Sequence, residues 1–246
     1  MEEYIKINIR TKAETINLCV GEAIVDTLHE YQGSLAPEQI SHNPDKFCGP
    51  FLGKKSVENF WATRVTLNYS GGTFEVADTF AWRRKKSIKS FGDITHIKRN
   101  VKSQVVPGEI SFTSDYTSKV NFYELFRSWC CILPPQIGML HLFVEEELKG
   151  LGKYDSFRLG SFNASLNPEI CGIGWAMYYG PDFCKDIDIQ KMEAAGFFVE
   201  KIGDGFIVRV TQNISDVNDS FAIFSGRREE MRKLFPKNFF KVADDE

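Results

Sequence analysis

The chain has 246 residues and a formal net charge of -3, from 30 Lys and Arg against 33 Asp and Glu. This length is enough to bury a large hydrophobic core, and the charge balance gives no overall attraction to nucleic acid. No run approaches the roughly 20 apolar residues that cross a bilayer, and the first ten residues lack the pattern of a signal peptide. The composition therefore favours a cytoplasmic protein that neither enters a membrane nor binds nucleic acid directly.

Six cysteines and four histidines are scattered along the chain, and no two cysteines form a Cys-x-x-Cys pair. A structural zinc site needs such closely spaced ligands, because four of them must converge on one ion. In a chain without an export signal, the cysteines are expected to be reduced thiols. The sequence therefore predicts neither a metal site nor a bound cofactor.

In the first third of the chain, strand-like and helix-like periods alternate. Residues 4–10 alternate with period two, which predicts a half-buried strand. Residues 11–32 place Ile16, Val20, Ile24 and Leu28 four apart, which predicts an amphipathic helix closed by Gly33. Residues 34–55 contain three prolines and are expected to be irregular.

The central third predicts a second hairpin, a basic segment and a helix. Residues 60–69 and 73–82 both alternate, and Ser70-Gly71-Gly72 is the expected turn. Residues 83–102 hold eight basic side chains against one acidic side chain. A short strand is predicted at 109–113 and a helix at 119–132, which Pro134 and Pro135 end.

Residues 172–212 are predicted to form the main core sheet. Residues 172–181 carry no charge, which is typical of a strand buried on both faces. Gly203-Asp204-Gly205 separates two β-rich runs, 197–202 and 206–211, and this pattern predicts a hairpin. Residues 221–235 have helical spacing. Strands and helices are interspersed and the hairpins imply antiparallel pairing, so the fold class is α+β, in a single domain over residues 1–246.

No catalytic motif is recognisable: the chain has no Gly-x-Ser-x-Gly elbow, and Gly172-Ile173-Gly174 lacks the later glycine or lysine of a phosphate-binding loop. Two alternatives to a binding protein nevertheless remain open. One is a small hydrolase or transferase with a cleft built around Cys130, Cys131 and His141. The other is a nucleic-acid-associated protein that uses the basic segment 83–102.

The preferred interpretation is a protein-binding surface rich in carboxylates. The segment from Asp182 to Asp219 contains eight acidic residues and four basic residues. Carboxylates presented to a cationic partner accelerate association, and exposed aromatic side chains can supply anchoring contacts. The candidate partner-binding residues are Glu145, Glu146, Tyr178, Tyr179, Asp182, Asp186, Asp188, Asp204, Asp216 and Asp219.

The region from Gly174 onwards resembles the immunity protein 52 family of bacterial proteins that neutralise contact-delivered toxins. The similar features are Gly174-Trp175-Ala176-Met177-Tyr178, the hairpin of residues 199–210 and the Asp-rich loop 216–219 before a terminal helix. The order of elements at the N-terminus is similar too, whereas residues 82–92 and 127–143 match no signature of that family.

This resemblance implies a non-enzymatic cytoplasmic protein that binds a cognate toxin domain, often a nuclease delivered by type VI secretion. A nuclease groove is cationic because it holds phosphates, so an acidic protein can occupy it. The expected partner is therefore the toxin. The sequence leaves open a homodimer and does not identify the toxin.

Overall fold

The computed structural model describes residues 3–30, 33–69, 72–100, 102–160, 172–237 and 239–240. The chain divides into two compact units. Unit 1 comprises residues 1–10 and 135–246, and unit 2 comprises residues 11–134. Both units combine antiparallel strands with helices, so the predicted α+β class is confirmed. The expectation that residues 1–246 form one domain stays a prediction.

Unit 1 is built on five strands in the spatial order β13-β14-β12-β11-β1. The strands are β1 (Tyr4–Thr11), β11 (Pro135–Phe143), β12 (Ala176–Tyr179), β13 (Phe198–Ile202) and β14 (Gly205–Arg209). The helices are α4 (Glu145–Leu148), α5 (Ser156–Leu159), α6 (Pro181–Cys184), α7 (Ile189–Ala194), α8 (Asp216–Asp219) and α9 (Phe221–Arg232). Four of these strands pair antiparallel through β11–β12, β12–β14 and β13–β14.

The hairpin predicted around Gly203-Asp204-Gly205 is confirmed. Phe198 pairs with Arg209 and Ile202 with Gly205, so only two residues form the turn. Gly203 has φ +56° at the first turn position, where a two-residue turn of the II′ type needs a glycine. The terminal helix is also confirmed as α9, whose buried residues Phe224 and Met231 lie on one stripe.

Unit 2 is built on five further strands in the order β10-β7-β6-β2-β3, and two short ribbons accompany them, β4–β5 and β8–β9. The sheet strands are β2 (Gln39–Ser41), β3 (Gly49–Pro50), β6 (Phe80–Arg84), β7 (Ser90–Thr95) and β10 (Gly108–Asp115). The ribbon strands are β4 (Arg64–Tyr69), β5 (Gly72–Ala77), β8 (Lys98–Arg99) and β9 (Val105–Val106). The helices are α1 (Leu18–His29), α2 (Lys54–Phe60) and α3 (Phe122–Ile132).

Aromatic rings fill the core of unit 2. Trp82 stacks on Phe112, and Trp129 meets both rings edge to face. The Trp129 indole donates a hydrogen bond of 2.7 Å to the Thr27 hydroxyl, which satisfies its buried polar atom. One face of the unit 2 sheet packs against this cluster, since Ile94, Ile110, Phe112 and Trp82 are all buried.

Two predictions about strands need correction. Residues 4–10 were expected to be half-buried, but Lys6, Asn8 and Arg10 are buried together with the isoleucines between them, so elements cover both faces of β1. The second hairpin was expected to run to Trp82, but β5 ends at Ala77, and Phe80–Arg84 form β6, which pairs with β7 and β2 instead. The predicted turn residues Ser70 and Gly71 lie outside the described residues.

Candidate partner-binding surface

The acidic candidates fall at the two opposite ends of the unit 1 sheet. We call the end that carries the β13–β14 turn the hairpin end, and the end where β11 and β14 finish the far end. The register from Tyr179–Phe206 to Ala176–Arg209 covers three residue steps, so the ends are at least about 10 Å apart along the strands. The single acidic surface predicted for residues 182–219 is therefore two separate surfaces.

Asp182, Asp186 and Asp204 lie at the hairpin end. Gly180 joins β12 to α6, which carries Asp182, and Asp186 lies two residues beyond the end of α6. Asp204 occupies the turn between β13 and β14. Asp182 accepts a hydrogen bond of 2.8 Å from the Gln136 side chain. Asp186 and Asp204 are exposed, and their carboxylates make no hydrogen bond or ion pair with any described residue, so their charges are available to a partner.

Asp188 serves the fold at the start of α7. Its carboxylate accepts a hydrogen bond of 3.1 Å from the Lys191 backbone amide and lies 3.2 Å from the Lys191 ammonium. These hydrogen bonds hold the pKa of Asp188 below its ordinary value. An N-cap carboxylate stabilises its helix, so a substitution of Asp188 changes stability as well as surface charge.

Glu145, Glu146, Asp216 and Asp219 lie at the far end. The two glutamates begin α4 just after β11, and each faces the Lys149 ammonium at 3.9 or 3.7 Å. Asp216 accepts a hydrogen bond of 3.1 Å from the Asn213 backbone amide. Asp219 is exposed at the end of α8. Such exposed ion pairs contribute little to stability, so they do not prevent these carboxylates from binding a partner. The far end is therefore a second candidate surface.

The two tyrosines predicted as anchors are buried. Tyr178 is 1% exposed and Tyr179 is 0% exposed, because β12 lies between β11 and β14 and both of its faces are covered. The Tyr178 hydroxyl donates a hydrogen bond of 3.1 Å to the Ile202 carbonyl, and the Tyr179 ring packs against Phe235. The prediction that these residues anchor a partner is therefore wrong, and they belong to the core.

A buried charge cluster, missed in the sequence, lies at the far end of the unit 1 sheet. The Arg228 guanidinium of α9 donates a short hydrogen bond to Glu147 Oε1, and His141 Nε2 lies 3.6 Å from the same oxygen. The side chains of Glu147 and Arg228 are 4% and 19% exposed, and that of His141 is fully buried. Glu147 directly follows the candidates Glu145 and Glu146, but its side chain points inward.

The hydrogen bonds of this cluster fix its protonation. His141 Nδ1 accepts from the Trp175 backbone amide at 3.1 Å, so the neutral ring carries its proton on Nε2, towards Glu147. Burial lowers the pKa of His141 despite the nearby carboxylate. Burial alone would raise the pKa of Glu147, but His141 and Arg228 outweigh it and lower that pKa to about 2.

The cluster predicts a specific pH dependence of stability. The unfolded chain binds protons at His141 and Glu147 more readily than the folded chain, so the free energy of unfolding decreases on acidification. The contribution of His141 is lost as the pH falls below about 6.5, and that of Glu147 below about 4.3. For His141 the slope approaches about 1.4 kcal/mol per pH unit.

Denaturant titrations at pH 7, 6 and 5 measure this slope. The variant His141→Gln keeps an acceptor for the Trp175 amide and should show a smaller slope than the wild type. Some slope should persist, because burial also lowers the pKa of His96 in unit 2. Equal slopes in the variant and the wild type would contradict the assignment to His141.

The three groups proposed for a catalytic cleft are not available as an accessible catalytic set. Cys130 is buried, and burial raises its pKa well above the ordinary value, so it does not supply a thiolate. Cys131 faces solvent. The His141 ring is closed to solvent and its Nδ1 lone pair is already used. Among the described residues, no group of three or more His, Cys, Asp or Glu side chains could hold a metal ion.

Three side chains of the basic segment 83–102 contact other residues of the protein. Arg84 is anchored to the backbone carbonyls of Ala36 and Ser87, and Lys86 pairs with Glu38 at 3.1 Å. Arg83 stacks on the Phe47 ring.

In the part of the chain that is described, no helix has the length and apolar character that a membrane span requires.

Comparison with solved structures shows that the fold is shared with a known protein. No protein-family profile matches the chain, and no curated protein matches it. The T6SS protein PA0821 of Pseudomonas aeruginosa superposes with a TM-score of 0.62 and 11% sequence identity, over 99% of this chain and 77% of that chain. The two proteins share a fold. T6SS denotes the type VI secretion system, so the α+β architecture described above also occurs in a protein of that system.

Proposed function

We propose that this protein is a cytoplasmic immunity protein that binds a cognate type VI secretion toxin and neutralises it. The observation that supports this proposal most directly is the shared fold with a T6SS protein over nearly the whole chain. The resemblance of residues 174–234 to the immunity protein 52 family points the same way. Catalysis is not part of the proposed mechanism, which consists of covering the functional surface of the toxin.

The hairpin end is the proposed contact surface. Asp186 and Asp204 are exposed there, and their carboxylates take part in no hydrogen bond or ion pair with described residues. Carboxylates of this kind attract a cationic groove such as that of a nuclease, raise the association rate and fix the orientation of the complex. Substrate phosphates occupy the same groove, so a bound acidic protein would exclude them.

Co-expression tests the function itself. The adjacent open reading frame is expected to encode the toxin, and its product should arrest growth when expressed alone. Co-expression of this protein should restore growth, and the two proteins should copurify as a complex of defined stoichiometry. Continued arrest in the presence of stably expressed protein, together with no copurification, would contradict the proposal.

Charge reversal tests the surface. The double variant Asp186→Lys/Asp204→Lys should slow association with the toxin roughly tenfold or more at low salt, because exposed charges act mainly on the association rate. The variant Glu145→Lys/Asp219→Lys makes the same charge change at the far end and is the matched control. Stopped-flow or surface plasmon resonance measures both rates. If only the far-end variant associates more slowly than the wild type, the contact lies at the far end of the sheet and not at the hairpin end.

A further inference from the structure

One face of the unit 2 sheet is open to solvent and carries an aligned row of side chains. Thr113 of β10 pairs with Phe91 of β7, Phe91 pairs with Arg83 of β6, and Arg83 pairs with Gln39 of β2. Side chains alternate between the faces of a strand, so all four point away from the aromatic core of unit 2. Phe91 is 52% exposed, although a large apolar side chain in a sheet is more often covered.

Arg83 is held in a fixed orientation in the middle of this row. Its guanidinium lies over the Phe47 ring at 4.2 Å. Its Nε donates a hydrogen bond of 2.7 Å to the Gln39 side-chain oxygen. Stacking and this hydrogen bond together define the plane of the guanidinium. Pre-organisation of this kind reduces the conformational entropy that the Arg83 side chain would otherwise lose when a ligand binds.

The two terminal nitrogens of Arg83 remain available. Neither makes a hydrogen bond with any residue that the structure describes, and no carboxylate of those residues lies within ion-pair distance of them. The neighbouring Arg84 differs in this respect, because its Nε and Nη1 both donate to backbone carbonyls. Arg83 is therefore an oriented cation without an ion-pair partner among the described residues, next to an exposed phenyl ring.

We propose that Arg83 and Phe91 bind a carboxylate side chain on a segment of a partner protein. The guanidinium donates two parallel hydrogen bonds to the carboxylate, and the Phe91 ring covers the apolar part of the same segment. Arginine and aromatic residues are enriched among the side chains that dominate protein interfaces. The toxin is the carrier of this carboxylate only if the proposed function is correct, whereas the site itself depends on the geometry of unit 2.

The charges of the open face favour a single carboxylate over a nucleic acid. Asp93 and Glu109 point to the same side of the sheet as Phe91, since Asp93 lies two residues from Phe91 and Glu109 pairs with Thr95. A polyanionic strand would bring phosphates close to both carboxylates. One Asp or Glu side chain of a protein brings a single negative charge to Arg83, so it meets less repulsion from these carboxylates than a row of phosphates does.

NMR titration with a small ligand tests the site directly. The probe is N-acetyl-aspartate N-methylamide, and the neutral control is N-acetyl-asparagine N-methylamide. The aspartate compound should shift the Arg83 Nε–Hε and Phe91 ring signals in a saturable way, and the asparagine compound should not. Arg83→Gln should abolish the shifts of Phe91, and Phe91→Ala should weaken binding several-fold. Arg64→Gln, which removes an exposed arginine from the β4–β5 ribbon, should leave the titration unchanged.

Three results of this titration would overturn the proposal. The first is an equal response to the aspartate and asparagine compounds. The second is an unchanged response in Arg83→Gln. The third is saturation of the same signals by a ten-residue oligothymidine at a lower concentration than the aspartate compound, which would make the face a nucleic-acid site.

A second arm separates this inference from the proposed function. Wild type, Arg83→Gln and Arg64→Gln are titrated with the product of the adjacent open reading frame. A loss of affinity of about tenfold in Arg83→Gln alone is expected from the removal of a charge-assisted contact. If Arg83→Gln binds like the wild type, the site does not contact the toxin although the function stands. If the wild type does not bind, the proposed function fails and the aspartate titration alone decides the site.

Discussion

Gly180→Ala is expected to destabilise the folded protein by about 3 kcal/mol, near the upper end of the range for overpacking. A Cβ at this position would lie 2.3 Å from the Pro135 carbonyl oxygen and 2.8 Å from the Gln136 carbonyl oxygen. Both atoms belong to the backbone of β11 and cannot rotate away. The Gly180 amide also donates a 3.0 Å hydrogen bond to Gln136, so relief of the clash would break that hydrogen bond.

The destabilisation is steric, because Gly180 has φ -81° and ψ -179°, which any residue adopts. Denaturant unfolding of the variant and the wild type under identical conditions measures the loss. Gly226→Ala is the matched control: this glycine lies within α9 with no atom within 4 Å of an added Cβ. In a helix interior that change should stabilise the protein by about 0.5–1 kcal/mol. A loss below about 1 kcal/mol for Gly180→Ala would contradict the clash.

The contrast between these two glycines shows what the sequence could not reveal. No local pattern shows that a Cβ is excluded at Gly180, because the atoms that exclude it are 44 and 45 residues away in the chain. The same limit explains the error at Tyr178 and Tyr179. Their aromatic character suits a core or an interface equally, and only the residues that cover the two faces of β12, such as Phe183 and Phe235 against Tyr179, decide between them.

Features set by local periodicity were predictable. The alternation of residues 197–211 gave the β13–β14 hairpin, and the three- and four-residue spacing gave α9. The boundary between β5 and β6 was missed because Phe80 and Trp82 continue the same pattern of alternation, although β6 pairs with strands elsewhere in unit 2. The division of the acidic residues between two ends of the sheet likewise follows from strand order, which local patterns do not specify.

The charge cluster could have been found from two signals in the sequence. His141 lies within an apolar run, and Arg228 lies on the same helical stripe as Phe224 and Met231. A buried cation requires a carboxylate partner, and Glu147 is the member of its acidic run that is buried. The identity of that partner still depended on how α4 and α9 pack in unit 1.

Arg228→Met is the second change with a large expected effect, a loss of about 3–5 kcal/mol in the free energy of unfolding. Glu147 would keep its buried charge but lose the cation that compensates it, and removal of one partner from a buried ion pair typically has an effect of this size. Methionine retains most of the aliphatic contact with the Phe224 ring, over which Arg228 lies at 5.0 Å. The loss therefore reports mainly on the uncompensated carboxylate. Chemical denaturation at pH 7 measures it.

The double variant Arg228→Met/Glu147→Gln separates charge from packing. Neutralising Glu147 removes the carboxylate that Arg228→Met leaves uncompensated, so the double variant should be more stable than Arg228→Met alone, with a coupling energy of about 1–3 kcal/mol. Lys233→Met, which removes an exposed cation just beyond α9, should change stability by less than about 0.5 kcal/mol. The single variant Glu147→Gln completes the comparison. If the stability losses of Arg228→Met and Glu147→Gln simply added up to that of the double variant, the energetic coupling between Arg228 and Glu147 would be absent and the assignment of the cluster would be wrong.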